Sequence, residues 1–97
     1  MPERYRKKPV VVEAVQWRGG NWLELIEWVG NTTFWAFEDD EMPNDDDPEA
    51  TAAVYDMLHS TWIPLRTGDY VIRGVRGEVY PCREDVFLET YEEVTGD

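Results

Sequence analysis

The chain has a single cysteine, Cys82, and a single histidine, His59, and this scarcity excludes several kinds of chemistry. One cysteine cannot form an intrachain disulfide, which suits a reducing compartment, so we expect a cytoplasmic protein. His59 has no second histidine or cysteine at the spacing of a zinc site, and we expect it to be a structural or surface residue. Cys82 is expected to be a small, partly buried apolar residue rather than a nucleophile, because the only histidine lies far from it in the sequence.

Long apolar runs and an excess of positive charge are also missing. No run approaches the roughly 20 residues of a membrane-spanning helix, and the N-terminus lacks the apolar core of a signal peptide. Lys and Arg number 9 against 21 Asp and Glu, which gives a formal net charge of −12. This balance disfavours binding to nucleic acids and anionic membranes, since both require clustered bases. It favours a basic protein partner.

Aromatic residues are abundant. The 97 residues suit one domain, 1–97, and an aromatic content of 13% argues against disorder despite the charge. Aromatic side chains bury a large area each, which helps a chain with a small core. The five tryptophans nevertheless exceed what such a core needs, so we expect most of them in the core and one or two at the surface.

Apolar patterns and turn residues predict an α+β fold, a small and mostly antiparallel sheet with one short helix packed on it. The helix is predicted at about 21–29 and a helical turn near 84–88. Strands are predicted at 10–17, 32–37, 62–65, 70–73, 78–82 and 90–94, and 52–59 is predicted as strand or helix, with the strand favoured.

Several details of these elements follow from single residues. Both faces of 10–17 are apolar, which predicts a central strand covered on each side, paired with the last strand. Asn21 and Glu24 have the spacing of a capping box at the start of the helix, and Gly30 is placed to end it with a positive φ. Pro64 predicts an edge strand, and 74–77 (GVRG) predicts a hairpin turn.

Charge is distributed unevenly along the chain. Residues 1–8 form a basic tail and 38–50 an acidic loop, either as solvated segments or as interaction surfaces. The candidate partner-binding residues are the acids Glu38, Asp39, Asp40, Glu41, Asp45, Asp46 and Asp47.

Other motifs are weak. The segment 45–56 has carboxylates at some positions of a calcium loop, but Ala50 stands where the loop needs glycine, and Asp56 where it needs the longer glutamate. The GVRG segment lacks the order of a phosphate-binding loop. Arg73, Arg76 and Arg83 lie near the hairpin, and they either hold an anionic ligand or pair with acids. No residue is assigned to catalysis, a metal or a cofactor.

Both ends of the chain resemble a family of small proteins from tailed phages and prophages. The resemblance rests on 5–17 (YRKKPVVVEAVQW) and on 68–82 (GDYVIRGVRGEVYPC), continued by Phe87 and by 90–92 (TYE). It covers about half of the chain, and the acidic middle looks like an insertion. It implies a phage-type origin and a small soluble fold. The family has no assigned activity, so the resemblance implies no catalytic residue.

Three functional hypotheses follow. The first is a non-enzymatic phage accessory protein that binds a host or phage protein through the acidic loop and exposed aromatic residues. A variant of it is a DNA mimic whose carboxylates replace phosphates and inhibit a nucleic-acid-binding protein. The second is a protein that binds or sequesters a small anionic, nucleotide-like ligand through Arg73, Arg76 and Tyr80. The third, an enzyme, is disfavoured. The sequence does not decide the oligomeric state, and a homodimer formed through an edge strand is one of the alternatives.

Overall fold

The computed structural model describes residues 2–4, 10–37 and 47–94. Most of the predicted acidic loop and part of the basic tail lie outside these residues. The described elements are β1 (Glu13–Gln16), α1 (Trp22–Val29), β2 (Phe34–Ala36), β3 (Ala52–Asp56), β4 (Thr61–Leu65), β5 (Tyr70–Arg73), β6 (Val79–Cys82) and α2 (Glu84–Thr90). The predicted α+β class is confirmed.

The strands form two antiparallel sheets of three strands each, where the sequence predicted one. The first sheet has the order β1-β5-β6 and the second the order β2-β3-β4. Met57 at the end of β3 donates its N–H to the C=O of Val79 in β6 at 3.3 Å, which ties the two sheets together. β4 is an edge strand, as Pro64 predicted.

The core lies where the two sheets and α1 meet. Every strand except β1 contributes a fully buried residue to it, whereas Val15 of β1 is partly buried against it and Trp17 follows β1 directly. The fully buried cluster comprises Trp17, Leu25, Phe34, Ala52, Val54, Leu65, Val71 and Val79. Burial of apolar area of this kind stabilises the fold by about 25 cal/mol per Å².

β1 is shorter and more exposed than its composition predicted. Only Glu13–Gln16 finds a partner, in register with Tyr70–Arg73 of β5, and β1 lies at the edge of its sheet. Val10 and Val11 lie outside the strand and are exposed. The prediction of a central strand paired with the last strand is therefore wrong. β-Branched residues favour an extended backbone, but a strand forms only where a neighbour supplies hydrogen bonds.

The start of α1 differs from the predicted capping box. The Asn21 side chain accepts a hydrogen bond from the N–H of Arg18 at 2.8 Å, and donates to the C=O of Gln16 and to Glu24, each at 2.9 Å. It makes no bond to a helical N–H. Asn21 therefore joins the helix to the end of β1 instead of capping it. Its hydrogen bond lowers the pKa of Glu24. Gly30 ends the helix with a φ of 93°, as predicted.

α2 lies where the sequence predicted a helical turn near 84–88, whereas the predicted last strand at 90–94 does not form. α2 continues through Thr90, and the described residues 91–94 form no strand. Phe87 stacks on Tyr70, with 3.8 Å between the ring centroids, and on Tyr91 at 4.9 Å. Tyr91 of the predicted strand thus packs on α2, and among the described residues no strand pairs with 91–94.

The hairpin of β5 and β6 is confirmed, and its turn gives a first prediction. Gly77 has a φ of 85°, a conformation that costs an L-residue roughly 1–2 kcal/mol. Gly77→Ala should lower the free energy of unfolding by about that amount, measured by urea denaturation. Gly20→Ala is the matched control, because a Cβ there meets nothing within 4 Å and Gly20 has no positive φ. Equal losses in both variants would contradict the strain argument.

Candidate functional site

The outer face of the second sheet is aromatic. Phe34, Ala52 and Val54 are buried and face the core, so the alternate residues of the same strands face outward. Cross-strand pairs place Trp35 opposite Ala53, and Tyr55 opposite Trp62. Three strands that pack apolar residues on the core thus also present aromatic rings on their outer side.

The outward rings touch one another in edge-to-face geometry. Ring centroids are 5.1 Å apart for Trp35 and Phe37, 6.4 Å for Trp35 and Trp62, and 5.6 Å for Tyr55 and Trp62. Such pairs contribute about 0.5–1.5 kcal/mol beyond area burial. The rings are therefore held in place before any partner binds.

A groove of about 520 Å³ runs along β2, between this aromatic face and α1. This size lies within the range of roughly 300–1,000 Å³ that is typical of ligand sites. No lining side chain carries a charge, and Asn31 supplies the polar amide. We call the aromatic groove the surface formed by Trp22, Ile26, Asn31, Phe34, Trp35, Ala36, Phe37 and Trp62.

Three of the five tryptophans are exposed, more than the one or two expected. Exposed fractions are 46% for Trp22, 49% for Trp35 and 43% for Trp62, against 1% for Trp17. All three exposed tryptophans line the aromatic groove. The alternation in β2 could have indicated that Phe34 and Trp35 face opposite ways, but only the pairing of the strands shows which of them faces the core.

The acidic candidates divide into one described residue and six that lie outside the description. Glu38, Asp39, Asp40, Glu41, Asp45 and Asp46 belong to the latter. Asp47 accepts two hydrogen bonds from Nε of Arg66, at 3.0 and 3.2 Å, and Arg66 also pairs with Glu49 at 2.9 Å. The hydrogen bond from Arg66 holds the pKa of Asp47 below its ordinary value. Asp47 therefore has a structural partner already.

Arg73, Arg76 and Tyr80, the residues of the anionic-ligand hypothesis, each interact with a different partner. The Arg73 guanidinium binds the Glu13 carboxylate and lies 5.0 Å from the ring centroid of Trp28. Burial, together with a hydrogen bond to Tyr91, raises the pKa of Tyr80 to about 12. The backbone N–H of Arg76 donates to Glu78 at 3.0 Å. Pairing with acids is thus shown for Arg73.

Asp56 is a buried carboxylate, with 3% of its surface exposed. It accepts hydrogen bonds from the N–H of Leu58 at 2.8 Å and of His59 at 3.2 Å, and lies 3.1 Å from Nδ1 of His59. Burial acts to raise the pKa of Asp56, but the hydrogen bonds from His59 and the two amides outweigh it and lower the pKa. The residue that the calcium-loop comparison placed last thus closes the turn between β3 and β4.

This environment predicts a pH-dependent contribution to stability. Because the folded-state pKa of Asp56 lies below the unfolded value of about 3.9, its contribution is complete above that pH and is lost as the pH falls through the folded pKa. Asp56→Asn should cost about 1–3 kcal/mol at pH 7, and this difference from the parent should shrink below about pH 4. Urea denaturation at several pH values measures it. A difference between Asp56→Asn and the parent that stays constant down to pH 2 would contradict the lowered pKa of Asp56. The His59→Ala variant removes the bond from the His59 ring and keeps the two amide bonds, so it measures the ring's contribution separately.

The described residues offer few groups suited to metal binding or to nucleophilic catalysis. They contain no group of three His, Cys, Asp or Glu side chains that could hold a metal ion. Burial raises the pKa of the Cys82 thiol, and Asp69 and Asp85 raise it further, so less thiolate forms at neutral pH. Of the helices in this part of the chain, none has the length and apolar character needed to cross a membrane.

Comparison with protein-family models, curated proteins and solved structures found no match. The aromatic groove gathers three exposed tryptophans on one surface of the described residues.

Proposed function

We propose that the protein is a non-enzymatic interaction module that binds a partner protein through the aromatic groove. The observation that supports this most strongly is the exposure of Trp22, Trp35 and Trp62 around one groove. Tryptophan is the residue type most enriched among binding hot spots. Burying these rings on a partner would remove apolar surface from water, which favours association.

Charge supports a basic partner. The groove itself is uncharged, whereas the chain as a whole has a net charge of −12. The acidic stretch 38–49 follows Phe37, a lining residue, directly in the sequence. Electrostatic attraction of this kind raises association rates and selects basic partners. The candidate acids Glu38 to Asp47 thus keep a role in the proposal as the source of attraction.

The proposal includes a phage-type accessory role in the host cytoplasm, as the resemblance of both chain ends implies. The anionic-ligand alternative is weaker, because the guanidinium of Arg73 is already paired with Glu13. The DNA-mimic alternative requires carboxylates arrayed over a surface, and it rests on acids that lie mostly outside the described residues.

A selection experiment tests the proposal. A library of random dodecapeptides is selected on the immobilised protein, and binders are counter-screened on a Trp35→Ala/Trp62→Ala variant of the same net charge. Peptides that bind the parent and lose binding to the variant are expected. Leu88→Ala, at an exposed residue outside the groove, controls for the general loss of an apolar side chain. If no peptide discriminates between parent and double variant, the proposal fails.

A further inference from the structure

The free edge of β2 lies along the aromatic groove. β2 pairs with β3 in an antiparallel ladder, in which successive residues direct their backbone groups to opposite sides. Phe37 donates its N–H to Thr51 at 3.0 Å, and Tyr55 donates to the C=O of Thr33 at 2.7 Å. Thr33, Trp35 and Phe37 therefore face β3.

Phe34 and Ala36 consequently direct their backbone groups away from β3. The N–H of Phe34 is taken by the C=O of Gly30 at 3.2 Å. Within the described residues no strand takes up the N–H and C=O of Ala36 or the C=O of Phe34, because β3 is the only strand there that pairs with β2. Both residues also line the aromatic groove.

Edge strands usually carry features that prevent pairing, such as proline or charge. β4, the opposite edge of the same sheet, contains Pro64, which has no N–H to donate. β1 begins with the exposed Glu13. β2 consists of Phe34, Trp35 and Ala36, with neither a charge nor a proline. Of these three edges, that of β2 is the one that lacks such protection.

We propose that an extended, basic segment of a partner protein adds to the free edge of β2 and places alternate apolar side chains in the aromatic groove. This inference rests on the proposed function and specifies its mode of binding. Main-chain hydrogen bonds to an edge strand supply affinity, and pockets for alternate side chains supply specificity. The groove walls of Trp22, Ile26 and Asn31 suit this arrangement, with the Asn31 amide able to bond the added backbone.

Charge argues for such a segment over a second copy of this chain. A homodimer joined at β2 would double a net charge of −12 and bring like charges together. A segment that alternates apolar residues with Lys or Arg presents its apolar side chains to the groove and its bases to an acidic protein. The partner is thus identified by its chemistry, an alternating basic and apolar strand.

The test uses the peptide acetyl-Lys-Val-Arg-Leu-Arg-Val-Lys-amide as the probe. Two isomers have N-methyl groups either on the three apolar residues or on the two arginines and the last lysine, so their charge and methyl count are equal. Only alternate N–H groups of an added strand face β2. One isomer should therefore lose at least about tenfold in affinity, while the other stays within about threefold of the unmodified peptide. Isothermal titration calorimetry measures all three.

Hydrogen exchange gives a second readout that needs no variant. In the complex the N–H of Ala36 should gain protection, whereas that of Tyr55, already bonded to Thr33, should change little. Equal affinities of the two isomers, or unchanged exchange at Ala36, would overturn strand addition. So would a probe that does not bind, or a protein that sediments as a dimer and becomes monomeric on Trp35→Ala. If the library nevertheless yields binders that depend on Trp35 and Trp62, the proposed function stands and only the binding mode fails.

Discussion

Trp17→Ala is expected to lower the free energy of unfolding by about 3–5 kcal/mol, the usual cost of truncating a large buried aromatic residue. The Trp17 side chain is 1% exposed and packs edge-to-face on Phe34, with 5.1 Å between ring centroids. Its Nε1 donates to Oγ1 of Thr51 at 2.9 Å, so one ring contacts Phe34 of β2 and the residue directly before β3. Removing it leaves a cavity at the junction of the two sheets.

The expected loss is a large fraction of the total stability of the domain. A domain of this length has a total stability of roughly 5–15 kcal/mol, so the variant should be only marginally folded. Urea denaturation followed by near-ultraviolet circular dichroism measures it, with the midpoint falling by about 2 M. Trp17→Phe, which retains an aromatic ring but loses the bond to Thr51, should cost markedly less. A loss below about 1 kcal/mol for Trp17→Ala would show that this residue does not anchor the core.

Trp35→Ala is expected to weaken binding of a groove-selected peptide by at least about 30-fold, the change that corresponds to a hot-spot loss of about 2 kcal/mol. Trp35 lies at the centre of the aromatic face, in contact with both Phe37 and Trp62. It is also half exposed, so its truncation should change stability far less than that of Trp17. Binding and stability should therefore respond to different tryptophans.

Fluorescence anisotropy with a labelled peptide measures the affinity, and urea denaturation of the same sample measures the stability. Leu88→Ala serves as the control for an exposed apolar residue elsewhere. Unchanged affinity in Trp35→Ala, or a loss equal to that in Leu88→Ala, would contradict a binding role for the groove. A loss of binding that merely follows unfolding would contradict it as well.

The predictions from the sequence were correct for elements that depend on residues close together in the chain. The helix from Trp22, its end at Gly30 and the hairpin of β5 and β6 follow from apolar spacing and from glycines that adopt a positive φ. Pro64 indicated an edge strand because proline cannot donate to a ladder. Each of these features depends on residues close together in the chain.

The errors concern long-range pairing. The stretch 10–17 has the composition of a buried strand, but only Glu13–Gln16 meets β5, across more than half of the chain. The predicted last strand at 90–94 did not form, since Thr90 ends α2 and Tyr91 stacks on Phe87, a contact that no strand pattern shows. Asn21 had the spacing of a cap and instead bonds Arg18 and Gln16. In each case a distant or unexpected neighbour decided the structure.

The candidate site was predictable only in part. An excess of tryptophan indicated exposed aromatic residues, but their gathering around β2 depends on the pairing of β2, β3 and β4. The sequence drew attention to the acids of 38–47 and to Arg73, Arg76 and Tyr80. Among the latter, Arg73 pairs with Glu13 and Tyr80 bonds Tyr91. The register of β2, β3 and β4 thus determines where the groove lies, and this register cannot be read from the amino-acid composition.

The most direct test of the groove as a binding surface is a nuclear magnetic resonance titration of the five tryptophan indole N–H signals with a selected peptide. The indoles of Trp22, Trp35 and Trp62 should shift, because they line the groove. The indole of Trp17, buried and bonded to Thr51, should not. Shifts confined to residues around Arg73, Arg76 and Tyr80, with the three groove indoles unmoved, would contradict the account and favour the anionic-ligand alternative.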